Sequence, residues 1–224
     1  MKFLFINELP TIFISLKIAL LSTVINFPIA IFLGNKLSQK YFFGKIIIES
    51  ILFFPLVIPP VATGYMLLLF FGSKSSFGYF LSTLGLEIPF TFCAAIIASI
   101  TVSLPIFVRH VRVSISSIEK SLIEVAYNYG LSKTAVFKNI TLPLSYNGIL
   151  SGALFAFIRS LGEFGATMMF AGNINNETRT ISIAIWHYLQ VPQGEKKAIF
   201  LLFFSILIGL TVLIISEIFL LKKF

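Results

Sequence analysis

The sequence predicts an all-α polytopic membrane protein of about five transmembrane helices, with one polar helix-turn-helix segment on its cytoplasmic face. Three observations predict it. Of 224 residues, 57% are hydrophobic and only 12% charged, whereas a soluble domain carries about 25% charge. Five apolar segments, at about 10–34, 46–71, 89–113, 147–171 and 198–221, each reach the ~20 residues that a bilayer crossing needs. One stretch, 124–143, interrupts this pattern with a patterned basic island, EVAYNYGLSKTAVFKNITLP. The whole chain, 1–224, reads as a single transmembrane domain.

The opening MKFLFINELP leads into an apolar run that contains Lys17. No small-residue cleavage site follows, so the run is expected to be a first span rather than a removed signal peptide. Pro28 there, like Pro105 in the third segment, reads as a kink. The second segment holds Pro55, Pro59 and Pro60, followed by Gly64. Prolines remove backbone donors, and in lipid such breaks survive only against other helices or a wet cavity. A bent helix lining a pathway or gate, and a packing kink, are both consistent with them. The lone Cys93 has no partner for an internal disulfide and fits a packed core position.

The island, with a loop of about 114–146 around it, is expected to fold as helix, glycine turn, helix. Ser116-x-x-Glu119 and Ser121-x-x-Glu124 are candidate capping boxes. Leu122, Ile123, Val125, Ala126 and Tyr129 form an apolar stripe at helical spacing. Gly130 suits a helix stop at positive φ, Ser132 suits a second cap, and Pro143 is expected to end the second helix.

The fourth segment opens on Gly148 and Gly152, a spacing that permits close helix approach, within the chain or between subunits. It also contains Arg159 and Glu163, four residues apart inside the membrane. They can neutralise each other, or Arg159 can meet an anion while Glu163 orients it. Ser103, Ser151, Ser160 and Thr167 are candidate path donors, although intramembrane hydroxyls commonly bond their own helix. Trp186, His187 and Tyr188 suit a membrane–water boundary, an outer gate or a docking face.

Lys and Arg set the orientation. One set of loops carries ten of them, the other five. The richer set belongs in the cytoplasm, which places the N-terminus outside, the C-terminus inside and the island in the cytoplasm. The net charge of +8 is thereby a property of the loops, and no nucleic-acid partner is implied.

The spacing of Glu124, Ala126, Gly130, Ile140, Leu142 and Pro143 resembles the EAA loop of ABC importer permeases, with Val125 in place of the usual middle alanine. Arg159-Ser-Leu-Gly-Glu163-Phe-Gly-Ala-Thr167, with Glu177-Thr178-Arg179-Thr180-Ile181 and Pro192-Gln-Gly-Glu195, is similar to oxyanion permeases, most closely those for molybdate. The resemblance covers essentially the whole chain. It implies the type I importer permease fold in the bacterial cytoplasmic membrane. The six island residues would then be the ATPase-coupling surface, and Arg159, Gly162, Glu163, Gly165, Thr167, Pro59 and Pro60 a translocation path or gate. The implied partners are a second copy of this chain, two ABC ATPase subunits, an extracytoplasmic molybdate-binding protein and the bilayer, with molybdate as substrate and no cofactor or metal.

Other classes fit less well. No G-x-x-x-x-G-K-[ST] segment is present, since Gly44-Lys45 lacks the first glycine and the hydroxyl residue. ATP hydrolysis is therefore expected on a separate chain. A gradient-driven carrier would show unpaired midplane acids, but Glu49 and Glu217 lie near span ends and Glu163 has Arg159 within reach. Tungstate or sulfate remains an alternative substrate.

Overall fold

The structure is a computed structural model that describes residues 2–39 and 41–221. Lys40, Lys222 and Lys223, three of the charges that set the orientation, lie outside the described residues. Among the described residues four helices are long and apolar enough to cross a membrane, and one bent pair supplies a fifth candidate.

Helix α1 (Lys2–Ser38) runs unbroken through Pro10 and Pro28. The second segment is not one rod. It splits into α2 (Lys45–Val57) and α3 (Pro60–Phe71), bent by 117°. Consecutive prolines dictate the break. A residue before proline is pushed out of the helical region, and both Ile58 (ψ 154°) and Pro59 (ψ 137°) are extended. Pro60 then starts α3, where a missing N–H costs nothing. A short helix that the sequence reading did not foresee, α4 (Ser76–Thr83), follows, with the Ser75 hydroxyl accepting from the Gly78 N–H at 2.8 Å.

Helix α5 (Phe92–Ser116) is capped by Thr91 and is the most enclosed of the long helices. It leads to α6 (Lys120–Asn128) and α7 (Lys133–Val136), then α8 (Leu142–Leu161), α9 (Gly165–Phe170), α10 (Ile181–Tyr188) and α11 (Glu195–Leu221). The expected fourth span, 147–171, is therefore interrupted. Helix α8 stops at Leu161, and α9 resumes after Gly162–Phe164.

In a bilayer, apolar burial does not drive helices together, so packing and interhelical hydrogen bonds must. Small residues bring α5 and α8 into contact. A Cβ on Gly148 would fall within 2.4 Å of Ser114 Oγ, and one on Gly152 within 2.7 Å of His110 Cβ. The Gly148/Gly152 pair is thus internal packing. Hydroxyls and an amide join the bundle at mid-helix. Ser22 bonds Ser160 at 2.7 Å, Asn26 donates to Ser103 at 3.0 Å, and Ser151 bonds Ser216 at 2.8 Å. Each such bond contributes about 0.6 kcal/mol, up to about 1.7. By contrast α2 has no buried residue and α11 is largely uncovered.

Candidate functional site

Helices α6 and α7 form a hairpin at one end of the bundle. Neither expected capping box forms. Ser116 is the last residue of α5, Ser121 lies inside α6, and the N-cap position is Glu119 without a side-chain bond. The link 117–119 is so short that α6 starts before either serine can reach a cap position. The other end of α6 matches expectation. Gly130 has φ +80°, the Leu131 N–H bonds the Ala126 carbonyl at 3.2 Å, and the Gly130 N–H bonds the Tyr127 carbonyl at 2.9 Å. That pair of bonds is a complete Schellman stop. The Ser132 hydroxyl then accepts from the Ala135 N–H at 3.3 Å and starts α7.

The apolar stripe divides between two directions. Ala126 is buried against the chain, as is Val136 of α7, and Ile123 is half-buried, whereas Leu122, Val125 and Tyr129 are exposed, Tyr129 to 85%. Glu124 is exposed and makes no ion pair among the described residues. Beneath the hairpin lies a cleft of about 490 Å³ bordered by Gln39, Ser116, Lys120, Tyr127, Lys133 and Phe137.

Pro143 does not end the second hairpin helix. Residues Phe137–Thr141 form a π-helical turn, the Leu142 N–H bonds the Phe137 carbonyl, and Lys133–Leu161 is one continuous helix of 29 residues. In a regular α-helix the proline ring would collide with the carbonyl four residues back. The wider turn supplies one extra residue where Pro143 enters and so removes the collision. Ile140, Leu142 and Pro143 thus sit at the junction of a rod that begins in the hairpin and runs roughly 43 Å into the bundle.

At the far end of that rod, α9 meets α3. The approach is close because each side offers a glycine. A Cβ on Gly64 would lie 2.5 Å from the Ala166 carbonyl oxygen, and one on Gly165 would lie 2.9 Å from the Val61 nitrogen and 3.0 Å from Pro60 Cβ. Glu163, 2% exposed, holds the turn between α8 and α9. One of its carboxylate oxygens accepts from the Ala166 N–H at 2.8 Å, and the other pairs with the Arg159 guanidinium. The Thr167 hydroxyl is buried without a partner among the described residues, as is that of Thr63.

Of the sequence-predicted path residues, the structure brings Pro60, Gly165, Glu163 and Arg159 to this seam. Thr167 lies in α9, and Pro59 is the N-cap of α3. A Cβ on Gly162 would meet only the Ile158 carbonyl oxygen, at an ordinary 3.6 Å, and its φ is −84°, so no close approach requires glycine there. Ser103, Ser151 and Ser160 are tied up in interhelical bonds. The sequence reading missed Asn26 and Ser22, whose signal was a polar group inside an apolar span. It also missed the cluster beyond the seam. Glu8 there accepts from the Tyr188 hydroxyl at 2.8 Å, Lys197 stands 3.8 Å from Glu8, and Arg179 donates to Asn173 at 2.7 Å. Burial first, and the Glu8 carboxylate second, push the Tyr188 phenol up to about 12, so it remains a donor.

The arrangement is an uncovered hairpin joined by one helix to a glycine-packed seam of two half-helices. Residues 26–222 match the family model described as binding-protein-dependent transport system inner membrane component. The chain is 40% identical over 211 residues to the molybdenum transport system permease protein ModB of Haemophilus influenzae, covering 94% of this chain and 92% of that one. It is 38% identical to the Escherichia coli K12 protein of the same name, with the same coverage. Its fold is similar to a chain of the MetNI methionine ABC transporter in an inward-facing conformation, with a TM-score of 0.75 at 14% identity over 97% of this chain and 96% of that one. It also resembles a bacterial ABC transporter for the polysaccharide alginate, with a TM-score of 0.71 at 19% identity over 97% of this chain and 79% of that one. The fold is that of the type I ABC importer permeases, and the chain belongs to the family of binding-protein-dependent transport system inner membrane components.

Proposed function

We propose that the chain is the permease subunit of an ATP-driven importer that moves molybdate inward by alternating access. The observation that carries this reading is the near full-length similarity, 94% of the chain, to molybdenum permeases. The reading places the hairpin in the cytoplasm of a bacterium, the N-terminus outside the cytoplasmic membrane and the C-terminus inside. Two copies form the pathway about a two-fold axis, two ATPase subunits supply the hydrolysis for which this sequence carries no phosphate-binding loop, and an extracytoplasmic binding protein delivers the anion.

Leu122, Val125 and Tyr129 form the docking face, with Glu124 beside them as the charged group available to a basic residue of the ATPase. Gly130 sets the angle of the hairpin and Ala126 anchors it to its own bundle. Closure of the ATPase pair moves the hairpin, and the helix Lys133–Leu161, carrying Ile140, Leu142 and Pro143, delivers that motion to the seam. There Pro59, Pro60, Gly162, Gly165 and Thr167 form the gate, and the Arg159–Glu163 pair keeps α9 attached to α8 as it moves.

The test is reconstitution of the permease with its ATPase and binding protein in sealed vesicles. ATP-dependent uptake of labelled molybdate, with sulfate as a weak competitor, is expected. Preferred uptake of sulfate or tungstate would change the substrate, and uptake driven by a proton or sodium gradient without the ATPase would overturn the mechanism.

A further inference from the structure

Three of the four arginines have protein partners. Arg112 pairs with Glu49 at 2.9 Å, Arg159 with Glu163, and Arg179 with Asn173. Arg109 is exposed, two turns before the end of α5, with no hydrogen bond or ion pair to any described residue. Two cavities meet at it. One of about 360 Å³ is shared with Asn147, Gly148 and Val113. The other, of about 640 Å³, opens past Arg112 toward Phe53 of α2. The Asn147 amide also has no hydrogen-bond partner among the described residues. Lys45 and Arg112 share a single carboxylate, Glu49, and Arg109 lines the larger cavity beside Arg112, so this mouth keeps an excess of positive charge. Its neighbour His110 is occupied in a stack on Phe155 at 4.9 Å.

From this geometry we infer an oxyanion site at Arg109 and Asn147, on the hairpin side of the seam, that receives the transported dianion after the gate has opened. A guanidinium offers two parallel donors to two oxygens of a tetrahedral anion, and the Asn147 amide adds a donor from the facing helix. Water occupies about 30 Å³ per molecule in the liquid, so the smaller cavity takes the anion with part of its hydration shell. Partial hydration keeps binding weak, as a conduit requires. The excess charge attracts the anion out of the seam, and the open side releases it. The inference rests on the oxyanion-transport reading. The phosphodiester of an anionic lipid presents the same chemistry, so the test must separate the two sources.

Val113 lines both cavities and is 62% exposed, so a cysteine there reports occupancy. The test uses the whole transporter, nucleotide-free, with Cys93→Ala and Val113→Cys, in phosphatidylcholine nanodiscs. Molybdate at twice its dissociation constant should slow thiosulfonate labelling of the Val113→Cys thiol about threefold. Tungstate and sulfate are run beside it, and chloride at equal ionic strength should do nothing. Arg109→Gln should abolish the protection and Arg109→Lys should retain part of it. Protection that appears only in phosphatidylglycerol nanodiscs, indifferent to added oxyanion, would overturn the inference in favour of a headgroup. Absence of protection by the anion that the wild-type vesicles do transport would overturn it while leaving the transport reading intact. Failure of those vesicles to transport any oxyanion would overturn both.

Discussion

Glu163 binds the Ala166 N–H at 2.8 Å with one carboxylate oxygen and Arg159 with the other. A single buried carboxylate therefore caps the half-helix α9 and neutralises a cation four residues back on α8. Both tasks concern the joint between the two helices. The charge pair expected from the sequence is present and joins the last turn of α8 to the turn before α9, with Arg159 bonding Glu163 through one of its guanidinium nitrogens.

Substitutions at Glu163 should grade accordingly. Glu163→Gln keeps an acceptor for Ala166 and loses the ion pair. Glu163→Ala loses both and should be less stable than the glutamine variant by about 1 kcal/mol, the usual worth of a cap. Thermal unfolding of the purified complex in detergent measures the order; equal midpoints for the two variants would remove the capping role. Arg159→Ala, with the cap retained, should reduce uptake without altering competition among oxyanions. A changed competition series would restore a direct anion role to Arg159.

At the α3–α9 seam a methyl group is too much. Gly64→Ala places a carbon 2.5 Å from the Ala166 carbonyl oxygen, and overpacking of this kind costs about 1–3 kcal/mol. Gly209→Ala in α11, where nothing lies within 4 Å, is the matched control and should be silent. Uptake and thermal midpoint should both fall for the first and for neither in the second.

Gly130 is a different case, because nothing lies within 4 Å of a Cβ there and φ is +80°. The penalty of Gly130→Val is conformational, about 1–3 kcal/mol confined to the hairpin. Membrane insertion should be normal while ATP-coupled uptake is lost. Gly130→Asn, which tolerates this φ, should retain a substantial part of it. Persistent uptake by the valine variant would remove the coupling role.

The docking face can be separated from folding. Tyr129, 85% exposed, contributes little to the fold of this chain. Tyr129→Ala should leave the thermal midpoint of the isolated permease unchanged and weaken capture of the ATPase by about tenfold, or ~1.4 kcal/mol. Co-purification at graded ATPase concentrations measures it, and unaltered capture would move the docking face elsewhere.

What was legible in the sequence was what a local signal encodes. The island stood out because polar residues are rare in this chain, and Gly130 and Ser132 marked their turn because positive φ and a helix cap need those residue types. The breaks within the spans were less visible. Over 147–171 the two charges, Arg159 and Glu163, are too few to break the long apolar run, so the backbone break at Gly162–Phe164 leaves little trace in hydropathy. The prolines at 59 and 60 announced a break, but the 117° turn depends on where α3 finds its partner, and that partner, α9, lies some hundred residues away in sequence. Pro143 read as a stop because the rule for proline presumes a regular α-helix. The π-helical turn before it escapes that rule, and no pattern of residues announced it.

The continuity of hairpin and span is the centre of the account, and one distance experiment addresses it directly. Spin labels at Lys133 and Leu144 of one copy lie on either side of the π-helical turn, both exposed. Double electron–electron resonance should give the same Lys133–Leu144 distance with and without ATP trapped in the ATPase, while the distance between the Leu144 positions of the two copies changes. A Lys133–Leu144 distance that shifts on trapping while the two Leu144 positions stay fixed would mean that the helix yields at Pro143 and transmits nothing.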